Sequence, residues 1–378
     1  MSKIMFSIHV GDSIAHVLRT RGLANHLSSK GHKIAYSVPQ KAADFLTGYI
    51  PNKSIYFNNQ NYSYARFATQ PNEADNYFEH AQNEAVVYEQ FQPDIIIGDP
   101  GLITHVYKPE TPLLKIVDRF YLEIATTVES PYTPAEKEII RGNAEDVINN
   151  TRKRLGILDN FAYYEAVQPP ALINGASYFT EDFAVSYKRI GNHMALNPGK
   201  IQQPSLENCF VAFGTGLAEH ALDTASAILR HIESRFRKIY VSFGNKIDKN
   251  QLYQPSNAVM RPLFNEVPEN IGSLICHGGY GIIHLGIQLG IPVIVTPFQI
   301  EQYSNAYHLE KLGVGINAGK YDKSNFKGLY EKIQVDWGLF DSALDNLPTI
   351  RKISHITDKF ELSENLLFKH TEEFINSI

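Results

Sequence analysis

The stretch from Ile275 reads ICHGGYGIIHLGIQLGIPVIVTPFQIEQYSNA, and its residue types can grip an anion and a polyol together. An apolar run ends at His277-Gly278-Gly279-Tyr280-Gly281 and gives way to a helix-like segment. Where a buried strand stops at a helix start, several backbone N–H groups lack an intrahelical partner and the helix dipole adds positive potential. Glycines let a phosphate approach that backbone closely. His277 adds a side-chain donor, and a cation when protonated. The same residues also fit a plain glycine turn beside a packed histidine, so the neighbouring strand ends decide between the two. One of them, IPVIVT, passes Pro297 and reaches Glu301-Gln302, a carboxylate and an amide that offer acceptors and donors to vicinal hydroxyls. Another, CFVAF, ends in Gly214-Thr215-Gly216. Ligands of open α/β sheets bind beyond the carboxyl ends of the strands. If these three strands are parallel, phosphate donors and hydroxyl partners share one rim, and the expected ligand is a nucleoside diphosphate joined to a sugar.

The elements that must position these residues are legible as an alternation. KIMFSIHV reads as a strand, Ile14 to Lys30 as a helix and HKIAYSV as a second strand; Lys30-Gly31 supplies a helix stop. Asn83 to Phe91 reads as helix, and PDIIIGD and PLLKIVD as further strands. Continuous apolar runs separated by helices predict a parallel sheet covered on both faces. Residues 190–208, rich in Pro, Gly, Asn and Gln, read as a linker. After it the alternation restarts with CFVAF, a helix over Leu217 to Arg235, KIYVSF, SLICH, a helix over Gly281 to Leu289, PVIVT and a helix over Gln302 to Leu312. Asp358 to Ile378 is amphipathic and helical. The expected organisation is α/β, with two doubly wound units. Residues 1–195 form the first and are rejoined by the terminal helix at 358–378; residues 206–357 form the second.

A chain of 378 residues suffices for two domains with real cores, and its net charge of -5 gives no reason to expect a nucleic-acid partner. Cys209 and Cys276 both lie in apolar strand-like runs and read as buried thiols of a reducing compartment. MSKIMFSIHVGD carries no cleavage site, and no apolar run is long enough to span a bilayer. A soluble cytoplasmic protein is expected. The fourteen histidines are scattered, with no Cys-x-x-Cys or His-x-x-x-His cluster, so no metal site is expected. Gly11-Asp12-Ser13 after the first strand is not the dinucleotide fingerprint, which disfavours a dehydrogenase.

HGGYGIIHLGIQLGIPVIVTPFQIEQYSNAYHLEKLGVGI resembles the donor-binding signature of the family 1 nucleotide-sugar glycosyltransferases. These are two-domain enzymes of the GT-B fold, and the likeness is to their bacterial macrolide and natural-product members. HVLRTRGLANHLSSKGHKIAYSV resembles the family's first helix and second strand, and TRKRLGI the segment before its linker. The resemblance implies that His277, Gly278, Gly279, Tyr280 and Gly281, with Gly214 and Thr215, hold the diphosphate. It implies that Glu301 and Gln302 hold donor-sugar hydroxyls. Three positions depart from the signature: Tyr280 replaces a small residue, Ile282 a threonine, and Leu285 the glutamate that usually holds the ribose.

The resemblance further implies metal-independent transfer of a hexose from a nucleotide-diphosphate sugar (uridine or thymidine) to an acceptor hydroxyl, with inversion. The general base falls on His16, with Asp12 as the alternative base. Asp99, ending DIIIGD, either orients His16 or caps the helix that follows. Arg19 and Arg21, two residues apart, cannot share a helix face, so at most one approaches an acceptor or a phosphate, and a solvated role is expected for either. The aromatic-rich residues 49–91 either build the pocket for a small-molecule or glycan acceptor or simply pack on their domain. The departures leave a catalytically weakened or accessory relative, or an epimerase or hydrolase on the same fold, as alternatives.

Overall fold

A computed structural model describes residues 1–8, 15–38, 46, 74–99, 103–106, 110–174, 183, 187–190, 204–214, 221–244, 247–264, 266–353 and 364–378. The chain divides into two compact units. One comprises Met1–His193, Lys327–Tyr330 and Glu361–Ile378, and the other Met194–Phe326 and Glu331–Phe360.

The first unit opens with β1 (Lys3–Ile8), α1 (Ala15–Ser29) and β2 (Lys33–Ser37). Gly31, at φ +90°, ends α1 by taking a left-handed conformation that a side chain would disfavour. Next come α2 (Ala74–Phe91), β3 (Ile95–Asp99), the single turn α3 (Ile103–Val106), β4 (Leu113–Asp118) and α4 (Arg119–Ala125). The long α5 (Pro134–Arg154) begins at a capping box in which Thr133 and Glu136 satisfy each other's backbone, with Pro134 in the first turn. Strands β5 (Ala171–Asn174) and β6 (Lys188–Arg189) complete a parallel sheet of order β2-β1-β3-β4-β5-β6. Its central strands are largely apolar runs because both faces are covered; β3 is buried at every position.

The second unit repeats the plan. It contains β7 (Ser205–Ala212), α6 (Leu222–Ile232), β8 (Lys238–Ser242), β9 (Ala258–Arg261), β10 (Ile271–Cys276) and α7 (Tyr280–Gln288). It continues with β11 (Val293–Val295), α8 (Ile300–Lys311) and β12 (Gly315–Asn317). The six strands form a second parallel sheet of order β12-β11-β10-β7-β8-β9. A short hairpin of β13 (Gly319–Lys320) and β14 (Gln334–Val335) precedes α9 (Trp337–Asp345) and α10 (Leu347–Ile353). One core cluster joins Val211, Val241, Ile275 and Ile294, register neighbours on one face of this sheet, to Ile228, Leu229 and Phe340 of the helices that cover it.

The last helix, α11 (Glu364–Asn376), returns to the first unit as expected. Leu367 is fully buried in the core of β1, α1 and β2, and Phe368 stacks on His26 at 4.4 Å between ring centroids. His26 and Lys188 pair with Glu372 and Glu373, each at 2.8 Å. These exposed pairs register the helix, while the apolar burial supplies its stability.

The sequence reading and the structure differ at several elements. Helix α2 starts at Ala74 rather than Asn83, because its first turns bury Tyr77, His80 and Ala81 among polar neighbours and break the apolar stripe. The same holds for α5, whose buried positions include Glu136, Lys137 and Arg152. Strand β7 begins at Ser205, inside the span read as linker. Of the aromatic-rich stretch, 49–73 lies outside the described residues. Cys209 and Cys276 are buried free thiols, and burial pushes both up to about 12. Among the described residues no helix is long and apolar enough to cross a membrane.

Candidate functional site

In the first unit the polar residues collect at the carboxyl ends of three adjacent strands. Asp99 is the last residue of β3, Asp118 of β4 and Asn174 of β5. Asp118 and Asn174 are register partners, and the Asn174 amide donates to Asp118 Oδ1 at 2.7 Å. Helix α1 faces this row with His16 and Arg19, which lie three residues apart and so share a helix face. His16 Nδ1 stands 3.0 Å from Asp99 Oδ1. The Arg19 guanidinium donates from Nε to Asp99 Oδ2 at 2.7 Å, from Nη2 to Asp99 Oδ1, and from Nη1 to Asp118 Oδ1 at 2.8 Å. Thr20 Oγ1 donates to the His16 carbonyl at 2.9 Å and is itself reached by the Tyr36 hydroxyl.

Burial separates the roles in this group. Asp99 is fully buried and Arg19 nearly so, whereas the His16 side chain keeps 21 % of its surface exposed. Burial alone would push the Asp99 carboxyl up; the Arg19 charge, and then His16, outweigh it and hold the group down at about 2. Arg19 is raised above its ordinary value because Asp118 and Asp99 outweigh the cost of its own burial. The expectation that Arg19 is solvated is therefore corrected: it joins two strand-terminal carboxylates and touches His16. Asp12 and residues 100–102, which lead from Asp99 into α3, lie outside the described residues.

In the second unit the ends of β7, β10 and β11 are neighbours, with Cys276 in register with both Ala212 and Val295. Gly214, His277 and the loop leading to Glu301 consequently share the carboxyl rim of one sheet. The His277 ring lies between two glycines: a Cβ built on Gly214 would stand 2.6 Å from its Cε1, and one on Gly279 2.4 Å from its Nε2. Nδ1 is 3.1 Å from the Ala212 carbonyl, which can only accept, so Nδ1 carries the hydrogen and the neutral ring keeps its lone pair at Nε2. Burial lowers this histidine below its ordinary value, and the bond to Ala212 partly opposes that.

Gly278 adopts φ +88°, and its carbonyl accepts from the buried Asn305 amide at 3.0 Å. Gly279 is the N-cap of α7 and has no side chain to cap it, with Tyr280 and Gly281 in the first turn. Tyr280 is buried against His284, ring centroids 4.2 Å apart. Leu285 is buried on the same helix, so α7 presents hydrocarbon there. Glu301 lies in the first turn of α8. The Gln302 side-chain oxygen accepts from the Phe298 N–H at 2.9 Å, which leaves its amide N–H2 as the end able to serve a ligand. Thr215 lies outside the described residues.

Sequence reasoning did not reach Arg19 in its buried role, Asp118, Asn174 or Asn305. A signal existed for two of them: Asp118 closes PLLKIVD as Asp99 closes DIIIGD, and Arg19 is three residues from His16. Among the described residues no group of three or more His, Cys, Asp or Glu side chains is arranged to hold a metal ion.

No protein-family model matches the chain. Over 62 residues, 16 % of the chain, the sequence is 39 % identical to a sterol 3-beta-glucosyltransferase of Yarrowia lipolytica (strain CLIB 122 / E 150). That match spans 4 % of the yeast protein's length. Among solved structures, CalG4, the calicheamicin glycosyltransferase, is similar over 100 % of this chain and 99 % of its own, with a TM-score of 0.65 at 15 % identity. The glycotransferase of kitacinnamycin is similar over 99 % of this chain and 96 % of its own, with a TM-score of 0.58 at 15 % identity. With its two parallel, Rossmann-like sheets, the chain has the GT-B-type fold of these glycosyltransferases.

Proposed function

We propose that the chain is an inverting, nucleotide-sugar-dependent glycosyltransferase. The observation that carries this reading is the 3.0 Å pairing of His16 Nδ1 with the buried Asp99 carboxylate, in a chain with this fold. Asp99 accepts a hydrogen bond from Nδ1–H, which leaves the Nε2 lone pair as base. Nε2 takes the proton of an acceptor hydroxyl as its oxygen attacks the anomeric carbon. The bond from that carbon to the diphosphate breaks on the opposite side, and the electron pair leaves with the phosphate.

Residues 206–357 are assigned the donor and residues 1–195 with 358–378 the acceptor. Gly214, Thr215, His277, Gly278, Gly279, Tyr280 and Gly281 hold the diphosphate, while Glu301 and the Gln302 amide hold sugar hydroxyls. First-turn N–H groups of α7 offset the leaving group's charge without a metal. The relatives' names, a sterol glucosyltransferase and a calicheamicin glycosyltransferase, favour a hydroxylated small-molecule acceptor. Two buried free thiols accord with a cytoplasmic enzyme.

The test is release of nucleoside diphosphate when the protein is mixed with uridine- or thymidine-diphosphate sugars and a panel of hydroxylated acceptors. Turnover requiring both substrates supports the reading. Nucleotide binding with no turnover for any pair would favour the accessory reading, for which the buried Leu285 in place of a carboxylate is the specific observation.

A pH dependence follows from His277. Its imidazole is held neutral by burial, and a diphosphate oxygen at Nε2 favours the charged form. Binding therefore takes up a proton at any pH between the free and the bound pKa. In that window donor affinity should fall by up to about tenfold per pH unit as pH rises, and level off below the free value. Calorimetric titration of an intact nucleotide sugar from pH 5 to 8, in wild type and His277→Gln, checks this. The slope should vanish in the variant, and equal slopes would exclude His277 from the diphosphate.

A further inference from the structure

We propose that Arg19 is the positioning residue of the base: it clamps Asp99 as an ionised, fixed acceptor, and so keeps the His16 proton on Nδ1 and the lone pair on Nε2. This inference rests on the transferase reading for its consequence in turnover, though not for its geometry.

Among the described residues, the polar and charged groups linked to His16 by hydrogen bonds, directly or through one another, come from several elements. They are Arg19 and Thr20 on α1, Asp99 on β3, Asp118 on β4 through Arg19, Asn174 on β5 through Asp118, and Tyr36 on β2 through Thr20. The Arg19 side chain touches Asp99, Asp118 and His16. Nε and Nη2 take the two oxygens of Asp99 in a fork, a geometry that fixes the carboxylate plane, and Nη1 anchors the fork to Asp118. Nη2 also lies 2.8 Å from His16 Nδ1. That distance allows two arrangements. With Asp99 ionised, Oδ1 accepts from Nη2 and from Nδ1–H together, and Nε2 is basic. With Asp99 turned away or protonated, Nδ1 becomes the acceptor, the proton sits on Nε2, and the ring no longer serves as a base.

The carboxylate is completely buried, and an unpaired buried carboxylate takes up a proton readily. Arg19 opposes this. Without it the surplus proton is shared between Asp99 and the imidazole, and either placement occupies Nε2 at neutral pH. Asp118 completes the device, because a guanidinium bound to Asp99 alone would be free to swing toward Nδ1.

The experiment uses the full chain with ring-nitrogen-labelled histidine, the His16 signals being assigned by their loss in His16→Gln. Wild type should show a protonated-type nitrogen at Nδ1 and an unprotonated-type nitrogen at Nε2. In Arg19→Gln the pattern should reverse or become that of a doubly protonated ring. In steady state kcat should fall by about 10²-fold with little change in KM, and recover as pH is raised. Arg19→Lys, which keeps the charge but not the fork, should fall between. If Arg19→Gln does not fold, the double variant Arg19→Gln/Asp118→Asn removes one charge of each sign and leaves His16 and Asp99 as a pair; the same reversal is expected there. An unchanged nitrogen pattern with unchanged kcat in Arg19→Lys and the double variant overturns the proposal. Absence of turnover in wild type with every donor and acceptor defeats the transferase reading instead, and the nitrogen pattern still decides the role of Arg19.

Discussion

His16→Ala should lower glycosyl transfer by about 10²–10⁴-fold while leaving nucleotide-sugar affinity within about twofold of wild type. Such a loss corresponds to about 3–5 kcal/mol of transition-state stabilisation. An uncharged hydroxyl is a poor nucleophile, and its proton must leave as the new bond forms. The imidazole is suited to that step because one nitrogen is fixed on Asp99 while the ring stays partly exposed. Its partner is buried and ionised, so the ring's orientation survives thermal motion better than a solvated pair would. Removing a partly exposed side chain costs the fold little, so the thermal midpoint should hardly move. Activity and stability therefore separate cleanly. Single-turnover measurements with saturating donor are the check, and wild-type rates in the variant would remove His16 as base and direct attention to Asp12.

How far the sequence discloses such a site depends on whether the responsible contacts are local. Strand ends are local. The apolar runs stop at Ile8 and Asp99 in one sheet and at Ala212 and Cys276 in the other, and parallel pairing then aligns the ends within each sheet without further information. The glycine-histidine turn and the first turn of α8 are readable for the same reason. Arg19 is not, because its partners are 80 and 99 residues away and are brought to it by the sheet order. An arginine near the start of an amphipathic helix reads as solvated unless the carboxylates awaiting it are known. Helices α2 and α5 show the same limit from the other side. Their buried faces carry His80, Glu84 and Arg152, which erase the apolar period that would announce them. Gln302 was legible as a polar residue in the right turn, but its bond to the Phe298 N–H is a property of the folded loop.

Gly278→Ala should destabilise the second unit by about 2–5 kcal/mol and weaken nucleotide-sugar binding by more than tenfold. Two effects add. At φ +88° the residue occupies a conformation that costs an L side chain about 1–2 kcal/mol. The new Cβ would also stand 2.7 Å from Val295 Cγ1 and 2.9 Å from the Gln302 carbonyl oxygen. The valine methyl can rotate away, but the carbonyl belongs to the first turns of α8 and moves only with them. Overpacking of this kind costs about 1–3 kcal/mol. Relief by displacing α8 would break the Asn305 bond to the Gly278 carbonyl and shift Glu301 and Gln302 relative to the His277 turn, so binding suffers together with stability. Gly142→Ala is the matched control. It lies within α5 with nothing within 4 Å of the added carbon, and should stabilise by just under about 1 kcal/mol, the ordinary gain of alanine over glycine in a helix. Urea unfolding and nucleotide-sugar titration of the two variants distinguish the cases. Equal, small effects of opposite sign would mean that the turn tolerates a side chain and that close backbone approach is not what the glycine provides.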